Sequence, residues 1–190
     1  MKQTTSPRAL ALVGMPGAGK TLCATHLQER GYYQFRFGSI VTDEVERRGL
    51  TINPVNERTV RLELRANEGM AVMAKRALPK LKTALESHQT IIIDGLYSFS
   101  EYKLLRNEFD ERMIVVAITA SRPLRYQRLS QRPIRPLTPE EAETRDWQEI
   151  ETMEKGGPIA IADYTLVNDS GTDDLLTALD TLLDKLDMTV

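Results

Sequence analysis

Apolar and polar residues alternate along the chain in blocks that differ in period. Five short blocks, at residues 9–13, 33–37, 91–94, 113–118 and 166–167, are rich in apolar residues, and the first and fourth are apolar throughout. Such runs are typical of strands buried on both faces of a sheet. Residues 20–30, 40–48, 53–88 and 172–186, which lie between or after these blocks, predict helices. Because strands and helices alternate, the pattern predicts an α/β domain with a parallel sheet covered on both sides.

One long helical segment separates the second and third predicted strands. Asn53 and Pro54 predict its start, since asparagine caps a helix and proline suits the first helical position. From there to His88 the apolar residues keep helical spacing, and Pro79 is expected to kink or break the helix. Later in the chain, the proline-rich residues 132–139 predict a surface loop.

Length and composition limit the possible functions. The 190 residues, of which 41% are apolar, suffice for one domain with a buried core. A net charge of −2 argues against duplex nucleic acid as a partner, because binding its phosphates needs a basic surface. No apolar stretch approaches the ~20 residues of a membrane span, residues 1–8 are polar, and Cys23 is the only cysteine. We therefore expect a cytoplasmic protein that has no targeting segment and binds no membrane, and the sequence leaves its oligomeric state open.

A glycine-rich loop follows the first predicted strand. The pattern G-x-x-x-x-G-K-[ST] occurs once, with the residues Gly14, Met15, Pro16, Gly17, Ala18, Gly19, Lys20 and Thr21. The glycines let backbone N–H groups converge on phosphates, and the N-terminus of the following helix adds positive potential. Lys20 is expected to bind the β- and γ-phosphates, and Thr21 to supply a hydroxyl ligand to Mg²⁺. The loop therefore predicts a site for Mg²⁺ and a nucleoside triphosphate.

The third predicted strand ends in an acidic residue. Three isoleucines lead directly to Asp94 and Gly95. Because the carboxyl ends of parallel strands share one edge of the sheet, Asp94 is expected beside the phosphate loop. Its carboxylate is suited there to hold Mg²⁺ through water or to position an acceptor. The alternative is an aspartate that only shapes a turn before glycine, which is common.

Arginines recur at helical spacing after the fourth predicted strand. Arg125, Arg128 and Arg132 share one helical face there, where they can face the phosphates. Phosphoryl transfer needs cations over the migrating charge, and a mobile arm can deliver them after binding. We therefore expect Arg128 and Arg132 to act at the transferred group, Arg145 to point inward as well, and Trp147 to pack beneath this arm. A solvated basic face is the alternative.

A second group of arginines lies in the long helical segment. Arg58, Arg61 and Arg65 share one helical face. An acceptor that carries a phosphate would need such a contact. Pairing of these arginines with neighbouring surface glutamates is an equally good interpretation.

Several motifs resemble those of nucleotide kinases. The chain resembles an adenylate-kinase-related, AAA-like P-loop family known mainly from archaea, and the resemblance covers nearly the whole chain. The family segments are a G-M-P-G-x-G-K loop, G-D, L-R-x-x-x-G, D-G-x-R-S, R-D-x-x-E and A-D-Y-x-x-x-N. Here they read as residues 14–20, Gly38-Ser39, Leu64-Arg65 with Gly69, residues 94–98, Arg145-Asp146 with Glu149, and Ala162-Asp163-Tyr164 with Asn168.

The C-terminal half also resembles dephospho-CoA kinase. That resemblance rests on Gln127-Arg128-Leu129 with Arg132, residues 140–143, and Ala162-Asp163-Tyr164 with Asn168. The N-terminal half lacks the Asp-x-Asp segment of that family, since no acid precedes Asp43 in the corresponding stretch.

The first resemblance implies a fold and a division of the chain. It implies a three-layer sandwich whose five parallel strands have the order 2-3-1-4-5, formed as one domain by residues 1–190. The core would comprise residues 8–37, 89–124 and 156–190. A helical acceptor-binding segment, residues 38–88, is called the insertion below, and residues 125–155 are called the lid. Asn168 would contact the nucleotide, and the acceptor would be bound by Ser39, Arg65, Tyr97 and Arg145.

Two positions depart from the family pattern. Ser39 stands where the relatives have aspartate, and Tyr97 stands where they have arginine. The donor half of the site therefore matches the family, while the acceptor half is altered. We expect an ATP-dependent kinase of a small phosphorylated acceptor, with a nucleoside monophosphate as first candidate and Lys20, Asp94, Arg128 and Arg132 as its catalytic residues. Dephospho-CoA kinase activity is one alternative, and a nucleotide-binding regulatory protein with slow hydrolysis is another.

Overall fold

Five parallel strands form the central sheet. The computed structural model describes residues 6–190. Residues 1–5 lie outside the described residues, and they make up most of the polar start on which the expectation of no targeting segment rests. The strands are β1 (Arg8–Val13), β2 (Tyr33–Arg36), β3 (Thr90–Asp94), β4 (Met113–Thr119) and β5 (Tyr164–Val167). They pair in parallel in the order β2-β3-β1-β4-β5. The predicted fold class and strand order are confirmed.

Helices cover both faces of this sheet. They are α1 (Lys20–Glu29), α2 (Gly38–Arg47), α3 (Pro54–Glu68), α4 (Val72–Ser87), α5 (Phe99–Phe109), α6 (Arg122–Ser130), α7 (Pro139–Glu151), α8 (Gly156–Ala160) and α9 (Thr172–Lys185). Within the described chain, none of them is long and apolar enough to cross a membrane.

The side chains of β1 show how the three layers pack. Ala9, Ala11 and Val13 join one hydrophobic cluster, which contains the buried faces of α2 to α5. Leu10 and Leu12 join the other, which contains the buried faces of α1 and α9. Because successive strand residues point to opposite faces, one wholly apolar strand serves both clusters.

The helical segment before β3 differs from its prediction. It is divided into α3 and α4 at Gly69, and not at Pro79. Gly69 has a φ of 88°, a conformation that glycine adopts without steric cost and that ends a helix. Pro79 lies inside α4 with its side chain exposed.

The start of α3 has the predicted cap. The Asn53 side-chain oxygen accepts hydrogen bonds from the backbone N–H groups of Val55 and Asn56, at 3.0 and 2.9 Å. Asn53→Ala removes both bonds, so we expect the free energy of unfolding to fall by about 1 kcal/mol. Urea denaturation measures this change. Asn67→Ala, at an exposed position within the same helix, should shift it by less than about 0.5 kcal/mol, and equal losses in both variants would contradict the capping role.

Candidate active site

A cleft of about 480 Å³ opens at the carboxyl ends of the strands. The phosphate loop forms one part of its wall, and the insertion and the lid form others. Its lining residues are Gly14, Met15, Pro16, Gly17, Gly19, Lys20, Thr21, Phe37, Gly38, Val41, Arg61, Arg65, Met73, Tyr97, Arg128, Arg132, Arg145, Glu149, Met153 and Lys155. Pockets in α/β proteins form at this edge because the loops that follow the strands converge there.

The phosphate loop needs glycine at two closely packed positions. Gly17 has a φ of 82°, and a Cβ there would lie 2.7 Å from the carbonyl oxygen of Arg125. Gly19 has a φ of 111°, and its Cβ would clash with Nδ2 of Asn168. The loop is therefore held against α6 and the end of β5 with no room for side chains. Its backbone leads directly into the N-terminus of α1, as anion binding requires.

Lys20 and Asp94 form an ion pair beside the loop. Asp94 ends β3 and lies opposite Leu12 of β1, so the parallel register places it next to the loop. Gln34 Nε2 and Arg36 Nε lie 3.4 and 3.7 Å from Asp94 Oδ2. Asp94 is 8% exposed and is not among the residues that line the cleft. The structure thus places Asp94 where its position at a strand end predicts, with Lys20 as its nearest cation.

The predicted arginine face is divided by the structure. Arg128 and Arg132 line the cleft, together with Arg145. Arg125 does not: it is buried, with its Nη1 and Nη2 atoms 3.0 and 2.5 Å from the Asp146 carboxylate. Helix α6 ends at Ser130, so Arg132 lies in the following loop and not on the helix.

Asn168 lies behind the loop and away from the cleft lining. It is 2% exposed, and its Nδ2 donates to the carbonyl oxygen of Ala18 at 2.8 Å. Arg128 Nη2 donates to its backbone oxygen at 2.9 Å and to Oδ1 at 3.2 Å. The Asn168 amide thus holds the loop in place, and its contact with nucleotide stays a prediction.

The predicted acceptor residues are also only partly brought together. Arg65, Tyr97 and Arg145 line the cleft, and Arg61 joins them. Ser39 does not line it; Ser39 is the second residue of α2, and its carbonyl oxygen accepts from Thr42 Oγ1 at 3.0 Å. The role of Ser39 in acceptor binding stays a prediction.

Arg65 is buried next to a buried acid. Its Nη2 lies 3.6 Å from Glu101 Oε1, and its Nη1 donates to Sδ of Met153 in the lid. Glu101 also accepts from the backbone N–H groups of Tyr97 and Ser98, at 2.9 and 3.0 Å. Burial lowers the pKa of Arg65 and raises the pKa of Glu101. Glu101 therefore connects Arg65 to the backbone that carries Tyr97.

Trp147 does not pack beneath the lid. The predicted packing is wrong: Trp147 is 55% exposed, because a different side of α7, which carries Asp146, faces inward.

Cys23 of α1 is fully buried, and burial raises the pKa of its thiol to about 12. A thiol in that state is no nucleophile near neutral pH.

Lys155 lines the cleft, which the sequence did not reveal. It precedes α8 and is 4% exposed. Its Nζ donates to Glu149 Oε2 at 2.6 Å and lies 4.5 Å from the centroid of the Tyr97 ring. The one available signal was the K-G-G-P segment, since Gly157 has no space for a side chain against Phe99.

Comparison with known proteins identifies relatives by sequence. A family model described as an AAA domain matches residues 10–148. A UPF0200 protein of Thermococcus gammatolerans is 35% identical over 178 residues, which are 92% of this chain and 93% of the relative. A UPF0200 protein of Pyrococcus furiosus is 35% identical over 180 residues, which are 93% of this chain and 96% of the relative.

Solved structures show the same fold at lower identity. TT1252 from Thermus thermophilus has a TM-score of 0.66 at 20% identity, over 96% of this chain and 99% of that one. Shikimate kinase from Bacteroides thetaiotaomicron has a TM-score of 0.58 at 18% identity, over 95% and 99%. A gluconokinase from Sinorhizobium meliloti has a TM-score of 0.54 at 14% identity, over 95% and 96%. The sheet order and the phosphate loop are thus those of a P-loop kinase fold. Because the family model matches residues 10–148, the chain belongs to the AAA domain family, among the UPF0200 proteins.

Proposed function

We propose that the protein transfers the γ-phosphoryl group of ATP to a small phosphorylated acceptor, with a nucleoside monophosphate as first candidate. One observation carries the proposal. Among the described residues, the cleft lining has seven cationic side chains and one carboxylate, that of Glu149, although the whole chain has a net charge of −2. So strong a local excess of positive charge favours a highly anionic set of ligands.

The donor half of the proposal rests on the loop and the lid arginines. Backbone N–H groups and Lys20 suit the β- and γ-phosphates, and Arg128 and Arg132 suit the charge that spreads over the transferred group. When a triphosphate binds, the Lys20 ammonium would leave Asp94 and pair with the phosphates, because Asp94 and the phosphates are both anionic and compete for it.

The residues beside the loop fit a magnesium ion of the kind kinases use. Within residues 6–190 no group of three or more His, Cys, Asp or Glu side chains is placed to hold a metal. Mg²⁺ takes only one or two protein ligands in such sites and keeps water and phosphate oxygens. The exposed Thr21 hydroxyl and the Asp94 carboxylate match that requirement. When bound, Mg²⁺ neutralises charge on the β- and γ-phosphates.

The charge of the cleft lining favours a phosphate over a hydroxyl as acceptor. An acceptor phosphate oxygen attacks the γ-phosphorus, a new P–O bond forms, the bond to the β,γ-bridging oxygen breaks, and ADP leaves with the electron pair. A phosphate dianion needs no base for this step, whereas a hydroxyl does. The cationic side chains that line the cleft favour an acceptor that already carries such a dianion.

An acceptor screen tests the proposal. Purified protein is incubated with Mg²⁺-ATP and, separately, AMP, GMP, CMP, UMP, dephospho-CoA, shikimate or gluconate, and ADP formation is followed. We expect ADP to form only with a nucleoside monophosphate. ADP formation with dephospho-CoA alone would establish the alternative kinase activity, and slow ADP formation independent of any acceptor would establish a hydrolysing regulatory protein.

A further inference from the structure

Lys155 is a buried cation with unused donors at the wall of the cleft. An ammonium group carries three N–H donors, and within residues 6–190 Glu149 is its one hydrogen-bond partner. Burial lowers the pKa of Lys155 and the Glu149 carboxylate opposes that effect. A lysine that is 4% exposed and has donors left over is costly for the fold unless a ligand uses them.

Arg65 carries a second set of unused donors. Its Nε and Nη2 atoms are buried without a hydrogen-bond partner in the described part of the chain. These two atoms form one edge of the guanidinium group, and that edge matches two oxygens of a phosphate or carboxylate. Glu101 Oε1 faces Nη2 as an ion-pair partner at 3.6 Å, which leaves Nε as the donor of this edge without an acidic partner in the described residues.

The two cations belong to one region of the cleft. Met153, whose sulfur accepts from Arg65, precedes Lys155 by two residues. The Tyr97 ring lies 4.5 Å from Lys155 Nζ and 6.0 Å from Lys20 Nζ. Tyr97 therefore connects this region to the donor loop, as transfer between two adjacent phosphates requires.

We propose that Lys155 and Arg65 together bind the phosphate of the acceptor, and that Glu149 stays paired with Lys155 until the acceptor enters. The ligand class is a phosphomonoester dianion, because its oxygens satisfy the Arg65 edge and the free Lys155 donors while its charge balances both cations. The inference rests on the proposed function and assigns that function a specific subsite.

Equilibrium binding tests this subsite without requiring turnover. The protein is saturated with Mg²⁺ and a non-hydrolysable ATP analogue, so that the loop is filled, and AMP, GMP, CMP, UMP and adenosine are titrated by calorimetry. We expect at least one monophosphate to bind and adenosine to bind far more weakly. Lys155→Met should weaken monophosphate binding about 30-fold, while Lys185→Met should leave it unchanged. Lys185 is an exposed matched control, with its Nζ 5.9 Å from the Tyr164 ring.

Glu149→Gln separates ligand binding from a purely structural role. If Lys155 binds the acceptor, removing its carboxylate partner leaves monophosphate affinity equal or higher. If the pair only holds the turn before α8, Glu149→Gln and Lys155→Met both weaken binding to the same degree, and the proposal is overturned. Glu149→Gln is nearly isosteric, so it decides the question alone should Lys155→Met fail to fold.

The outcomes also distinguish this inference from the proposed function. Monophosphate binding that depends on Lys155, without any ADP formation in the acceptor screen, would reject the kinase activity and keep the subsite. Absence of monophosphate binding in the unmodified protein would reject the subsite, even if ADP formed with another acceptor.

Discussion

Lys20→Met is expected to lower kcat about 1,000-fold, which is the size of effect seen when one preorganised charge is removed from a transition state. The Lys20 ammonium lies at the N-terminus of α1 beside the phosphate loop, where it would leave Asp94 to meet a triphosphate. Methionine keeps the length of the side chain and removes the charge. The measurement is steady-state ADP formation with the acceptor that the screen identifies, or without acceptor if the protein proves to be a hydrolase.

Two control variants show whether the lost activity comes from the Lys20 charge itself. Lys103→Met, at an exposed position on α5, should leave kcat unchanged. Because Lys20→Met deprives Asp94 of its nearest cation, the double variant Lys20→Met/Asp94→Asn removes the unbalanced carboxylate as well. Recovery of activity in the double variant, or normal turnover in Lys20→Met, would contradict a direct role for Lys20 at the phosphates.

The sheet was predictable because the residues of its central strands are themselves apolar, and this composition indicates burial. A strand such as β4 is apolar at almost every position, and only a strand covered on both faces tolerates this. Helix α5 was not predicted, although Ser98 and Glu101 have the spacing of a capping box and form one in the structure. The break at Gly69 was missed because the apolar stripe continues on both sides of it, and periodicity alone does not show where a helix is interrupted.

The donor site was more predictable than the rest of the cleft. The residues of the phosphate loop are adjacent in sequence, and their backbone requirements appear directly as glycines. Helical spacing placed Arg125 and Arg128 together but could not show which side faces inward, since this depends on Asp146 of α7. Lys155 reaches the cleft only through the packing of a turn against Tyr97 and Phe99, and no local pattern encodes such a contact.

Arg125→Met is expected to lower the free energy of unfolding by about 3–5 kcal/mol, more than Asn53→Ala does. Both partners of the Arg125–Asp146 pair have side chains that are 8% exposed, and removal of one partner leaves the other charge buried and uncompensated. The substitution also removes the hydrogen bond of 3.0 Å from Arg125 Nη1 to the carbonyl oxygen of Pro16 in the phosphate loop. We therefore expect the KM for ATP to rise together with the loss of stability. Urea denaturation and steady-state kinetics measure the two effects.

The cause of this loss is tested by removing the second charge. Arg125→Met/Asp146→Leu has no buried ion, so it should recover most of the stability lost in Arg125→Met. It should not recover the KM for ATP, because Pro16 still lacks its donor. Arg122→Met, on the same helix but with an exposed pair to Glu143 at 3.5 Å, should cost less than about 1 kcal/mol. If Arg122→Met and Arg125→Met lost equal stability, or if the double variant recovered both stability and KM, α6 and α7 would not be holding the phosphate loop through Arg125.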